Sequence, residues 1–471
     1  MDCGSRGFFY FLGLFFDVSG WVLQSNFSRF LPAKRVTTFW VQSSFKKHII
    51  GLMRYAIDFG TSNSLLCAVD GGVVTGPLDL DPAAADPTVF RSVVYLTPKR
   101  AHFGAEAIRD FLDDNLNGST EGRLLRSFKR LLPSSTFSGT IIGNKRVGVE
   151  EIIGRFLGEM RKRANAKTGK DVRSAVIGRP ALFAEEPEAD RLAQERLERG
   201  VRAAGFEEVE FVPEPLAAAF RYRLEMKKEE VVLVADFGGG TSDFTVIRLA
   251  PRAFQPDDVL AIGGVPVAGD ALDGELMRHR VSQQFGSLVE YTSPFGSNVL
   301  KMPKLLMEHL CSTVHIPLLS VRENADFLER VRKAALGADD ARTLGQLQTL
   351  ISDQLGFPVF EAIERCKRSL SSDDTSEVSY EYPGVKFAES VKRTQFAEYA
   401  GATTDKILGS LDETLAKAGL RADQIDRVCC TGGTARVKIL RDPIEMRFGA
   451  GKIDEFRNFT SIVEGLAQWA K

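Results

Sequence analysis

The 471-residue sequence has six cysteines, and no two of them are spaced as CxxC. Cys429 and Cys430 are adjacent inside an apolar run, which fits reduced, buried thiols of a cytoplasmic protein and argues against a disulfide framework. Net charge is equally scarce: 61 basic against 62 acidic side chains leave −1 at pH 7. That removes the electrostatic case for nucleic acid or an anionic membrane as a partner. The apolar run "FFYFLGLFF" (8–16) is too short to span a bilayer. It resembles the apolar region of a signal peptide, but only Arg6 precedes it, Asp17 follows it and no clear small-residue cleavage site is present. What is there, 44% hydrophobic and 26% charged residues, describes a globular protein too long for a single core, so two domains or lobes are expected.

The first 52 residues differ from the rest. They hold nine phenylalanines and two of the three tryptophans but no glutamate. Residues 1–52 read as a non-native or disordered extension, with Met53, directly before "RYAID", as the start; a membrane-associating arm is the other reading. From Met53 the pattern is α/β. "YAIDFG" and "SLLCAVD" predict two strands joined by a Gly-Thr-Ser turn, and "SVVYL" (92–96) another strand. "EGRLLRSFKRLL" and "GVEEIIGRFLGEMRKRANA" have helical spacing. "RSAVIGRP" (173–180) predicts a buried strand, and the charged helix after it ends at Gly205. "EVEFVPEPLAAAFRYRL" predicts a strand, a turn and a helix with Pro215 at its first position. A second hairpin, "VADFGGGTSDFTVI" (234–247), opens a second half. That half has a long helical stretch around 325–370, strands near 376–388, a helix at 402–418 and a last strand, "DRVCC". The expected division is residues 53–230 and 231–471, with roughly 285–360 as an inserted subdomain.

The two hairpins form a weak internal repeat, each with an aspartate ending a strand before a glycine-bearing turn. Glycine lets backbone N–H groups converge on an anion, and a phosphate between two such turns gains charge-assisted hydrogen bonds. Gly60, Thr61, Ser62 and Asn63 supply the first turn; Gly238, Gly239, Gly240, Thr241 and Ser242 supply the second. Asp58 and Asp236 are placed to hold a hydrated Mg2+ through its waters. Asp243 is placed to orient an attacking water or a monovalent cation such as K+. A single such turn is more often a plain hairpin; two, each behind an aspartate, point to phosphate.

"IDFGTSNS" and "ADFGGGTSDFTVI" resemble the two phosphate motifs of the DnaK-type heat-shock ATPases, the heat shock protein 70 family within the actin-like ATPase superfamily. The resemblance implies two ribonuclease H-like lobes around a central nucleotide cleft, ATP/ADP and Mg2+ as cofactors, slow ATP hydrolysis, and a protein partner or co-chaperone. "SFKRLLP" is similar to the segment bearing the family's catalytic lysine, which implies that role for Lys129, and "FVPEPLAAAF" implies a catalytic-site role for Glu214. Asp236, Thr241 and Asp243 complete the catalytic set. "AGDALDGELM" implies nucleotide contacts from Gly269 and Asp270. "ERCKRSLSS" implies adenosine contacts from Glu364, Lys367, Arg368 and Ser371, and "TGGTARV" implies them from Gly432, Gly433, Thr434 and Arg436. "AVIGRP", "RAAGF" and "GLAQWA" look like YegD-type DnaK-like proteins, which keep only the ATPase part. No apolar linker or independent peptide-binding domain is expected after the last helix. The family's aspartate near the ribose is replaced within "RNFTSIVEG" by Phe459, Thr460 and Ser461.

Without the resemblance, Lys129 reads as a solvated helix lysine, Glu214 as a turn residue between two prolines, and Arg368 as an exposed charge rather than a guanidinium stacked on adenine. His309, Cys311 and His315 have irregular spacing and no fourth ligand, which favours a non-metal reading. "KRANAKTGK" (162–170) reads as a solvated loop. Two other functions fit the hairpins. One is a small-molecule (sugar) kinase with Asp236 or Asp243 as general base, against which Lys129 and "ERCKRSLSS" argue. The other is a nucleotide-gated scaffold with little catalysis.

Overall fold

The computed structural model describes residues 52–471 except 118–121, 138, 225, 253, 293–297 and 456–459, so the expected N-terminal extension lies, up to Gly51, outside the described residues. In chain order the first half provides β1 (Arg54–Phe59), β2 (Asn63–Asp70), β3 (Val73–Thr75), β4 (Phe90–Arg91), α1 (Gly104–Leu116), α2 (Val149–Thr168), β5 (Ser174–Arg179), α3 (Pro187–Ala203), β6 (Glu208–Pro213) and α4 (Glu214–Arg223). The second half provides β7 (Glu230–Phe237), β8 (Ser242–Leu249), β9 (Val259–Val265), α5 (Gly269–Leu276), α6 (Gly356–Ser369), α7 (Gly401–Ala418), β10 (Arg427–Thr431), α8 (Lys438–Phe448), β11 (Ile453–Glu455) and α9 (Ser461–Trp469).

The two large sheets share one topology. The first runs β6-β5-β1-β2-β3, with β4 paired to β2, and the second runs β9-β8-β7-β10-β11. In each, three antiparallel strands are followed by two parallel ones. Parallel neighbours need crossover connections, and helices supply them: α2 and α3 in the first half, α7 and α8 in the second. The strands are apolar on both faces because both faces are covered. Tyr55, Ile57 and Phe59 of β1 face one outer core, and Leu233, Ala235 and Phe237 of β7 face the other. The intervening residues, Ala56 on β1 and Val232 and Val234 on β7, meet in a third core between the sheets.

The helix that closes each half packs against the opposite sheet. α4 lies on β7 and β8, and α9 lies on β1, β2 and β5. The two cross where Gly465 meets the Ala217 carbonyl so closely that a β-carbon would overlap it. Small residues at the crossing let the backbones approach, and Phe220 and Trp469 close its edge with ring centroids 4.7 Å apart. Trp469 Nε1 then donates to Glu210 Oε1 at 2.6 Å. Two sheets of one topology, closed by this exchanged helix pair, make the actin-like α/β fold that the resemblance implies.

Five local expectations are corrected. "EGRLLRSFKRLL" is not a helix: Arg123–Arg126 is a strand paired with Val93–Leu96, and a 3-10 turn follows at Phe128–Leu131. Non-local pairing overrides the helical spacing, and Ser127 (φ 51°) turns the chain between the two pieces. The stretch around 325–370 is three helices, Arg322–Ala334, Asp340–Ser352 and α6, with Gln354 (φ 53°) in the last break. Residues 162–168 are the end of α2, which stops at Gly169 (φ 69°), rather than a loop. β11 adds a strand beyond "DRVCC". Pro215 occupies the second position of α4, which begins at Glu214. Among the described residues, no helix is long and apolar enough to cross a membrane.

Candidate functional site

The shared topology places the β1–β2 and β7–β8 turns at equivalent ends of the two sheets. In the structure they face each other. A β-carbon on Gly239 would sit 2.6 Å from Ser62 Oγ, and one on Gly240 would sit 3.0 Å from Thr61 Oγ1, so the two turns approach closely where the glycines leave room. Asp58, Gly60, Thr61, Ser62 and Asn63 line one wall of a cleft of about 750 Å³, and Asp236, Gly238, Gly239 and Thr241 line the other.

Lys129 and Glu214 lie on the cleft floor. Glu214 opens α4 directly after a proline, and Gly178 on the neighbouring β5 makes room for it: a β-carbon there would stand 3.1 Å from Glu214 Cγ. Lys129 Nζ donates to Glu214 Oε1 at 2.7 Å and to the Phe59 carbonyl at 2.6 Å, and both side chains are buried. The solvated-helix reading of Lys129 is therefore wrong. Around this single ammonium stand Asp58, Asp236 and Asp243. Burial, and then the negative charge of Glu214, push Asp58 up against the opposing pull of Lys129. The same two causes hold Asp236 well above the carboxylate range, with Asp243 and Asp58 adding to them, and push Asp243 up to about 7. Asp236 Oδ1 and Asp243 Oδ2 are buried without a hydrogen-bond partner. An all-oxygen donor set with too little positive charge fits a hard divalent cation such as Mg2+.

The far end of the cleft is built by α5, α6 and the turn after β10. Gly269 N donates to Gly238 O at 3.2 Å, Asp270 N to Gly239 O at 2.7 Å, and Thr434 Oγ1 to Gly238 O at 2.9 Å, so three donors tie down the second turn. Gly432 (φ 84°) lies against the Phe237 carbonyl, where a β-carbon would overlap. Glu364, Lys367, Arg368 and Ser371 come from α6 and its end, and Gly433 and Arg436 from the opposite side. Lys367 is not free to reach outward: its Nζ donates to Asp273 Oδ2 at 2.8 Å and to Gly269 O at 3.2 Å. Burial outweighs that pairing and pushes Asp273 up to about 7.

Most of the expected residues thus meet in one cleft, and three do not line it: Ser242 is buried and its Oγ donates to Val267 O at 2.7 Å, and Asp243 and Gly240 lie behind as well. Asp243, fully buried opposite Asp236 in the ladder, accepts from Ala181 N at 2.6 Å and from Thr241 behind the wall. Gly240 packs against Arg130 and Thr61. Of the ribose-side segment, Phe459 lies outside the described residues, while Ser461 Oγ is 2.9 Å from Thr431 Oγ1 and Ile462 lines the cleft. His309, Cys311 and His315 form no ligand cluster among the described residues; the two imidazoles stand 5.7 Å apart by centroid. Sequence reasoning missed Asp273, which its position one turn after Asp270 on the same helix could have revealed. It also missed Ser127, Arg130 and Thr313, which all donate to Asp270 Oδ2, and the lining residues Asp86, Val89, Cys430 and Thr431, which carry no local signal.

A two-lobed actin-like fold whose paired turns face one cleft defines the class, and comparison with known proteins agrees with it. The family model described as Hsp70 protein matches residues 135–289 and 353–458, more than half of the chain. The chain is 26% identical over 405 residues to the Chaperone protein HscA homolog of Tolumonas auensis, covering 83% of this chain and 53% of that protein. It is 26% identical over 406 residues to the Chaperone protein DnaK of Mycoplasmopsis agalactiae, covering 85% and 54%. The chain therefore belongs to the Hsp70 family, and it spans about half the length of these relatives.

Proposed function

We propose that the chain is a chaperone-related nucleotide module that binds ATP or ADP with Mg2+ in the cleft and hydrolyses ATP slowly. The observation that carries the reading is the approach of Ser62 and Gly239 from two topologically equivalent hairpins, directly above the buried Lys129–Glu214 pair. Main-chain donors and hydroxyls of both turns would bind the phosphates, so the lobes close on the nucleotide from opposite sides. Bound Mg2+ would offset phosphate charge, held through its waters by Asp58 and Asp236. The Lys129 ammonium would stabilise charge developing on the γ-phosphoryl oxygens. Glu214 and Asp236 would orient the attacking water, whose oxygen bonds to the γ-phosphorus as the bond to the β-bridging oxygen breaks. Asp243 would act through the Thr241 hydroxyl, and a K+ ion is compatible with the same acidic end. At the other end, Arg368 would stack on the adenine while Glu364 and Ser371 contact the nucleoside.

The output of such a module is a lobe arrangement that depends on the nucleotide, read by a protein partner of co-chaperone type. Peptide handling is not assigned to these residues. The YegD-type placement rests on "AVIGRP", "RAAGF" and "GLAQWA". The buried thiols of Cys67, Cys311, Cys366 and Cys429, none of them in a disulfide, support a reducing, cytoplasmic setting. Phosphate release from ATP by purified protein tests the reading. Slow turnover that falls at least ~100-fold in Asp236→Asn, and is not stimulated by sugars, is expected. Equal turnover in the variant contradicts it.

A further inference from the structure

We propose that His102, Glu106 and Asp110 form a surface site for a divalent transition-metal cation, Zn2+ first among them, separate from the nucleotide cleft. His102 is the middle residue of the short strand Ala101–Phe103, and α1 begins two residues after it. Glu106 and Asp110 follow at four-residue steps and so lie on one face of that helix. His102 Nδ1 is 2.7 Å from Asp110 Oδ2 and 3.8 Å from Glu106 Oε1, and the three ligand atoms all lie within 4.8 Å of one another. Bonds of roughly 2.0–2.2 Å to one Zn2+ set its ligand atoms a little over 3 Å apart, so only small side-chain movements are needed.

The outer oxygens of both carboxylates are already held. Asp110 Oδ1 accepts from Arg109 Nε at 3.0 Å, and Glu106 Oε2 faces Arg163 Nη2 at 3.6 Å. Arg163 is itself fixed, donating to Leu80 O at 2.9 Å and to Glu159 Oε1 at 2.8 Å. These partners leave Glu106 Oε1 and Asp110 Oδ2 turned toward the imidazole, the orienting role that outer hydrogen bonds have around metal ligands. One imidazole with two carboxylates suits Zn2+ and its neighbours, whereas Mg2+ prefers oxygen alone. The site thus differs in metal preference from the all-oxygen cleft. With side chains 13%, 42% and 25% exposed, the three ligands are open to solvent, and water completes the coordination.

The ion would pin the start of α1 to the strand before it. That matters beyond the site, because α1 ends in a contact with the second half: Phe111 packs with Phe357, and Asn115 Nδ2 donates to Asp353 O at 2.7 Å.

Zinc chloride titrated into the nucleotide-free full chain against a chromophoric chelator tests the site, with magnesium chloride as control. One saturable Zn2+ site is expected. Affinity should fall on the order of 10-fold or more in His102→Gln and in Glu106→Gln, remain unchanged in His315→Gln, and ATP binding should stay as in the parent protein. If His102→Gln folds poorly by circular dichroism, Glu106→Gln carries the test, since that side chain sits on the helix surface. No saturable Zn2+ binding, or equal binding by parent and Glu106→Gln, overturns the proposal.

Discussion

Glu361 pairs with Arg91 at 2.7 Å although the two are 270 residues apart in the chain. Glu361 sits on α6, the helix that carries Glu364, Lys367 and Arg368 into the cleft. Arg91 precedes Ser92, whose Oγ donates to the Gly60 carbonyl at 2.7 Å and whose backbone N donates to Ser62 O at 2.9 Å. Arg126 stands 3.8 Å from the same carboxylate and lies over the Phe357 ring. The first turn and the base end of the cleft are therefore tied across the two halves. Glu361→Gln should speed nucleotide release ~3–5-fold, because a pair this exposed contributes about 1 kcal/mol. Release of a fluorescent ADP analogue reads the effect, and an unchanged rate means the tie does not restrain opening.

Lys129 and Glu214 form a buried pair of a different kind. Removing one partner leaves the other charge buried and uncompensated, a loss of about 3–5 kcal/mol, whereas removing both costs much less. Lys129→Met should unfold at markedly lower denaturant than the parent, and Lys129→Met with Glu214→Gln should recover much of that loss. ATP turnover should fall at least ~100-fold in Lys129→Met. Additive stability losses, or full turnover without the lysine, would remove the pair from the account.

The acidic cleft predicts how stability depends on pH. Asp58, Asp236, Asp243 and Asp273 are all raised in the folded protein above the 3.8 of an unperturbed aspartate, the last two to about 7. A folded state that holds protons more tightly than the unfolded chain is favoured below the unfolded value, and loses that advantage as pH rises through the folded values. The metal- and nucleotide-free protein should therefore melt at progressively lower temperature from about pH 5 to about pH 8, the window those shifts define. Added Mg2+ and ADP should stabilise it most at the upper end. A melting temperature that rises across this window in chelator contradicts the raised values of these acids.

What the sequence made legible was local. An aspartate, a glycine-bearing turn and a returning strand lie within about a dozen residues in each hairpin, so both turns and the cleft they share could be read directly. Lys129 could be placed in the site only through resemblance, because its surroundings are decided by distant partners. Arg123–Arg126 pairs with Val93–Leu96, and Ser127 takes a left-handed backbone that no local rule demands. The Arg91–Glu361 tie and the reciprocal packing of α4 and α9 are invisible for the same reason. Asp243 was misplaced on a finer point: sequence proximity to the turn does not say that its carboxylate points behind the wall, toward Ala181.

Calorimetric titration of ATP with Mg2+ into residues 53–471 tests the central claim most directly, using one substitution in each turn. A β-carbon on Gly239 meets side-chain atoms alone, Ser62 Oγ at 2.6 Å and then Asp270 Oδ1 at 3.3 Å and Thr61 Cβ at 3.7 Å, so Gly239→Val crowds the gap between the turns without striking the strand backbone, and Thr61→Val removes a hydroxyl from the facing turn. One site per chain is predicted, weakened ~10-fold or more by either substitution, as expected when charge-assisted contacts come from both turns. Binding that survives both substitutions unchanged, or responds to only one turn, would contradict a nucleotide held between the two halves.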